Sequence, residues 1–156
     1  MALIRRGKVE DIQAAFELIQ ELATFEKAPD AVENTVERMI KDGFGNKSVF
    51  EFFVAEDAGK IVGLALYYYS YSTWKGKFLY LEDLIVAEQY RGKGFGKKLF
   101  DAIIFKAKEE GVSLVGWQVL DWNEAAINFY KKLGASFYPE WINCRLHKEQ
   151  IDGYTG

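Results

Sequence analysis

Apolar positions along the chain change period several times, and each change marks an element. Ala2–Arg6 predicts a short first strand. In Val9–Phe25 apolar residues fall at positions 12, 15, 16, 18, 19, 22 and 23, the spacing of one helical face. Ala28–Pro29 interrupts that pattern, and Val32–Lys41 predicts a shorter second helix ended by Gly43 and Gly45. Three strand-like runs follow: Val49–Glu56, Ile61–Tyr71 and Phe78–Ala87. The glycine-bearing Asp57–Lys60 is short enough to join the first two as a hairpin. Lys97–Glu109 sets Leu99, Phe100, Ile103, Ile104 and Ala107 on one face, with lysines elsewhere, and Gly111 ends it. Val112–Leu120 predicts another strand and Glu124–Leu133 another helix, with Gly134 at its C-terminal cap position. Phe137 and Ile142–His147 supply the last strands.

The predicted order is β-α-α-β-β-β-α-β-α-β-β. A strand-helix-strand crossover over 78–120 is right-handed and makes its two strands parallel, whereas the hairpins before it are antiparallel. The expected fold class is therefore α/β (α+β), a mixed, mostly antiparallel central sheet with helices on both faces. A length of 156 residues fits one domain, 1–156, and no linker, repeat or low-complexity block divides it.

Composition narrows the function. With 16 % aromatics, Tyr67–Tyr69, Tyr71, Trp74 and Trp117 are expected mostly as packing. A net charge of −3 argues against a nucleic-acid partner. No apolar run approaches the roughly 20 residues that cross a bilayer, and the N-terminus lacks the apolar stretch of a signal peptide. The single Cys144 rules out an internal disulfide framework and fits a reducing compartment, so the expected location is cytoplasmic. One Cys and one His, Cys144 and His147, leave no zinc site of the usual ligand set to expect.

The chemistry gathers in residues 80–96. An apolar run carrying two adjacent acids, Glu82 and Asp83, leads into Arg91-Gly92-Lys93-Gly94-Phe95-Gly96 and then an amphipathic segment. The spacing of the glycines fits neither a nucleotide P-loop nor a dinucleotide fingerprint. It fits a pyrophosphate loop of the Arg/Gln-x-x-Gly-x-Gly kind, with Arg91, Lys93, Lys97 and Lys98 adding charge; a plain solvent turn is the alternative. A carboxylate in an apolar strand has a raised pKa and can serve as general base; it can equally cap, pair with an arginine or face solvent. Successive strand residues face opposite sides, so only one of Glu82 and Asp83 is expected in a pocket unless a bulge intervenes. Downstream, Asn123 suits an N-cap, and Tyr130 is either core or a phenolic proton donor.

Together these residues resemble the GNAT acetyltransferase superfamily, and most closely its diamine branch, the spermidine/spermine acetyltransferases and their thialysine-acting relatives. The resemblance runs through Glu21-Leu22-Ala23, Asp42-Gly43-Phe44-Gly45, Ile61-Val62-Gly63, Trp74-Lys75-Gly76-Lys77, Tyr80-Leu81-Glu82-Asp83, Tyr90-Arg91-Gly92, Trp122-Asn123-Glu124, Asn128-Phe129-Tyr130-Lys131 and Gly134-Ala135-Ser136. It implies acetyl-CoA as donor, lying where two parallel strands splay apart. On this resemblance Leu84, Ile85 and Val86 pair with the pantetheine arm. Residues Arg91, Gly92, Lys93, Gly94, Phe95, Gly96 and Lys97 hold the pyrophosphate, and Asn123, Glu124, Ala125 and Ala126 touch the cofactor's lower arm. Glu82 is then the base, Tyr130 the acid on the departing thiolate, and Phe25, Glu26, Trp117, Gln118 and Asp121 the amine pocket. A homodimer is also implied. The chain departs from the pattern at Phe25, where a tyrosine is common, at Ala125, which replaces a proline, and over 137–144. A protein or peptide acetyltransferase and a non-catalytic acyl-CoA sensor stand as the competing functions.

Overall fold

A computed structural model describes residues 2–156, which group into two compact units dividing between Gln118 and Val119. The first carries a five-stranded sheet in the order β1-β2-β3-β4-β5: Ala2–Arg6, Glu51–Asp57, Lys60–Ser72, Gly76–Val86 and Val115–Gly116. Neighbours are antiparallel except β4 and β5, which run parallel. Helices α1 (Ile12–Phe25) and α2 (Val36–Phe44) cover one face. Ile12, Ala15 and Leu18 of α1 and Met39 of α2 form a core with Phe52, Val54, Leu64, Leu66 and Ile85.

The opposite face carries α3 (Phe95–Glu110). Side chains alternate along a strand, so the residue next to Leu64 points toward this second face, and it is Gly63. A Cβ at Gly63 would lie 2.8 Å from Leu99 Cδ1 and 3.1 Å from the Ile85 carbonyl oxygen. The missing side chain lets α3, and the loop that leads into it, approach the sheet closely.

Element boundaries follow local chemistry that periodicity does not report. A 3-10 turn, Val9–Asp11, precedes α1; its Asp11 accepts from Arg5 at 2.7 and 3.0 Å and from the Lys8 N–H at 2.8 Å. Helix α2 begins at Val36 instead of Val32 because Thr35 caps it, its hydroxyl accepting from the Arg38 N–H. Helix α3 begins at Phe95, two residues before the expected Lys97, with Gly94 as N-cap at φ 85°. The strand expected over Val112–Leu120 shrinks to Val115–Gly116, since only Leu79↔Val115 and Tyr80↔Gly116 pair.

In the second unit, α4 (Glu124–Lys132) is capped by Asn123, whose side chain accepts from the Ala126 N–H at 3.3 Å, and Gly134 follows at φ 84°. A short helix α5, Lys148–Asp152, is an addition to the expected elements. Residues 135–147 contain no strand, contrary to the expectation for Phe137 and Ile142–His147. The alternation of Ile142, Cys144 and Leu146 defines a face, but a strand also needs a neighbour to take its N–H and C=O groups. Here Ile142 and Leu146 remain exposed.

Candidate active site

Strand β4 is where the site begins. Leu66 lies opposite Asp83, whereas Tyr67, the next residue on β3, lies opposite Leu81. Glu82 is therefore the extra residue of a β-bulge. Two residues of a bulged strand oppose one partner, which cancels the usual alternation. Glu82 and Asp83 both line a cavity of about 250 Å³ on the α1–α2 side, walled by Phe16, Ile19, Met39, Phe50 and Leu66. A bulge was the one exception under which both acids could face the same pocket, and β4 contains it.

Electrostatics in the cavity are those of crowded, poorly hydrated acids. The Asp83 carboxyl is pushed up to about 7, first by burial, then by the neighbouring charges of Glu82 and Glu26. Burial also raises Glu26, the residue that ends α1. Glu82 is more exposed, and its Oε2 accepts from the Tyr68 hydroxyl at 3.3 Å. That phenol is raised to about 12 by burial and by Glu82, which keeps it protonated and donating at neutral pH. The carboxylates of Asp42, Glu82 and Asp83 line the cavity, with Glu26 close enough to act on Asp83, and such a set suits an ammonium group.

The other edge of β4 is open. Its pairing with β5 ends at Tyr80, while pairing with β3 continues to Val86. From Leu81 to Val86 the strand therefore has no β5 partner, and Leu84, Ile85 and Val86 lie on this stretch. An extended chain bearing amides can bond such an edge as a further strand would.

Beyond β4, a 3-10 turn (Glu88–Tyr90) enters the glycine loop. Gly92 and Gly94 adopt φ 76° and 85°, and a Cβ at either would meet nothing within 4 Å. Conformation, and not crowding, demands glycine there. At the head of α3 the first N–H groups have no intrahelical carbonyl, and Gly94 supplies no capping side chain. Those donors, the positive end of a 16-residue helix and the ammonium groups of Lys93 and Lys97 together suit a diphosphate. The open β4 edge and this loop fit the two ends of an acyl-CoA.

Other expected residues are spread more widely. Phe25 is half-exposed and stacks under the Arg91 guanidinium at 5.1 Å. Trp117 meets Phe100 of α3 edge-on, with ring centroids 5.3 Å apart, on the face away from the cavity, and Gln118 is exposed. Asp121, Asn123, Glu124, Ala125, Ala126 and Tyr130 belong to the second unit, where Tyr130 is buried and Asp121 exposed. Asn34, Met39, Asp42 and Phe50 line the cavity without having been expected. The Asp42-Gly43-Phe44-Gly45 segment was a usable signal for Asp42.

Residues 12–135 match the model of the acetyltransferase (GNAT) family. The chain belongs to the GNAT family. A thialysine N-epsilon-acetyltransferase from Bos taurus is 41 % identical over 99 % of this chain and 97 % of its own length. The human spermidine/spermine N(1)-acetyltransferase-like protein 1 is 35 % identical over 95 % of this chain and 23 % of its own length. Among solved structures, a predicted acetyltransferase with acetyl-CoA from Clostridium acetobutylicum superposes with a TM-score of 0.77 over 93 % of this chain and 96 % of that one; at 17 % identity it shows the shared fold. This GNAT protein is thus an N-acetyltransferase, and acetyl-CoA is the donor that the family uses. Among the described residues no helix is long and apolar enough to cross a membrane.

Proposed function

We propose that this enzyme moves the acetyl group of acetyl-CoA to a primary amine of a small diamine or polyamine, or of a lysine-like substrate such as thialysine. The observation that carries this reading is the β4 bulge, which turns two acids into one cavity beside Glu26. The curated relatives named for thialysine and for spermidine/spermine support the same substrate class.

A primary amine with pKa near 10.4 is free base in only about one molecule in 2,500 at pH 7, an occupancy term of roughly 4.6 kcal/mol. The acids do not lower that pKa, because opposite charge raises it. Their work is to draw the ammonium in and to take its proton as nitrogen attacks. In this reading Glu82 is the base: it is the less buried of the pair, and the Tyr68 hydroxyl orients it. Asp83 and Glu26 hold the cation. Backbone groups of Leu84, Ile85 and Val86 bind the pantetheine arm, and N–H groups from Gly92 to Lys97 bind the diphosphate. Bound acetyl-CoA supplies a thioester carbonyl; Tyr130 donates the proton that the departing thiolate needs, and residues Asn123 to Ala126 steady the lower arm. The enzyme acts as a cytoplasmic homodimer.

Thiol release from acetyl-CoA, followed with putrescine, spermidine, thialysine and lysine in turn, tests this. The reading expects saturable turnover with at least one of them. Turnover confined to peptide or protein amines would replace it with a protein acetyltransferase.

A further inference from the structure

Arg91 opens the glycine loop, yet its contacts run back into the protein. Its Nε donates to the Val86 carbonyl at 3.0 Å, its guanidinium lies over the Phe25 ring, and a terminal nitrogen approaches Glu21 Oε1 at 3.8 Å. The same Glu21 oxygen accepts the Glu88 N–H at 2.8 Å. Glu88 begins the 3-10 turn that leads into the loop, and Ala87 at its N-cap brings no side-chain acceptor. Glu21 therefore caps that turn from another element, α1.

We propose that Glu21 is a positioning residue for the acyl-CoA diphosphate, acting by holding the 88–91 turn and Arg91 against α1. The proposal rests on the reading of the glycine loop as the diphosphate site. Charge alone makes Glu21 a poor neighbour for a diphosphate, since a carboxylate repels it. What a carboxylate offers here is reach and two acceptor oxygens for an N–H and a guanidinium. The Arg91 pair is long and exposed and contributes little; the bond to the Glu88 N–H is the stronger contact. The brace has a second consequence. Phe25 and Glu26 end the same helix, so one element fixes both the diphosphate loop and an acid whose charge helps raise the Asp83 pKa.

Charge and position predict opposite results, which makes the test decisive. Calorimetric CoA binding is measured on the whole chain carrying Glu21→Ala, Glu21→Gln or Glu21→Asp. If only charge matters, Ala and Gln both tighten binding and Asp leaves it unchanged. If Glu21 positions the loop, Ala and Asp weaken CoA about fivefold, the size of a lost capping bond, and Gln stays within about twofold because its oxygen still reaches the Glu88 N–H. With acetylpantetheine as donor, which has no diphosphate, all three keep the kcat/KM of the unaltered enzyme. Equal CoA affinity in the unaltered, Ala and Asp chains, or equal loss with both donors, overturns the proposal. Should the Ala variant not fold, the Asp–Gln contrast decides between charge and position in the same way. A failure of the unaltered chain to bind CoA would instead overturn the loop reading beneath it.

Discussion

Asp83 shows how a single residue turns geometry into pH dependence. Its carboxyl has an ordinary value of 3.8 and sits near 7 in the folded chain. Below pH 4 it is protonated in both states and costs nothing. Between about 4 and 7 the unfolded chain ionises while the folded chain does not, so the cost of burying this group grows with pH and is complete above 7. Asp83→Asn should therefore leave the unfolding free energy from denaturant melts unchanged near pH 3.5 and raise it at pH 8, by about 4 kcal/mol at most. Glu82→Gln should lower turnover roughly 100-fold or more at neutral pH and less as pH rises and free amine accumulates. A pH-independent, near-wild-type rate would remove Glu82 from the mechanism. Tyr130→Phe should lower kcat without raising the KM for acetyl-CoA; unchanged turnover would leave Tyr130 a packing residue. Both acids were visible in the sequence as charges in an apolar strand. Their sharing of one cavity was not, because an extra residue in a ladder depends on the partner strand and leaves no periodic trace.

Elements were legible wherever they answer to their own residues. The apolar stripe of α1, the glycine-bounded α3 and the Asn123 cap of α4 are local facts, and the structure contains them as expected. Those that need a distant neighbour were overestimated: β5 is two residues long, and Ile142–His147 has no strand partner. Gly63 belongs to this scale, since it sets how near α3 comes to β3. Gly63→Ala should push Leu99 outward and press on the Ile85 carbonyl, costing on the order of 1–3 kcal/mol in chemical denaturation. Because α3 carries the glycine loop, CoA affinity should fall in the same variant. An unchanged midpoint would mean that Leu99 yields freely.

At the scale of the molecule, the family resemblance was legible because its motifs run through nearly the whole chain, whereas the lining of the amine cavity was not, since Asn34, Met39, Asp42 and Phe50 meet there only through folding. Ligand linkage tests the whole arrangement. CoA at about 100 times its dissociation constant should stabilise the fold by about 2.7 kcal/mol and raise the melting temperature by roughly 5–10 °C. No shift would mean that nothing in the chain takes up CoA. The half-zipped β4 carries one more consequence. A row of unsatisfied backbone groups along a sheet is a template for stray chains, and most proteins blunt such a margin with charge or proline. Here the stretch from Leu81 to Val86 reads Leu-Glu-Asp-Leu-Ile-Val, with neither charge nor proline over its last three residues. The donor molecule doubles as a bandage: starved of it, concentrated enzyme should clump, and a little coenzyme in the storage buffer should keep it clear.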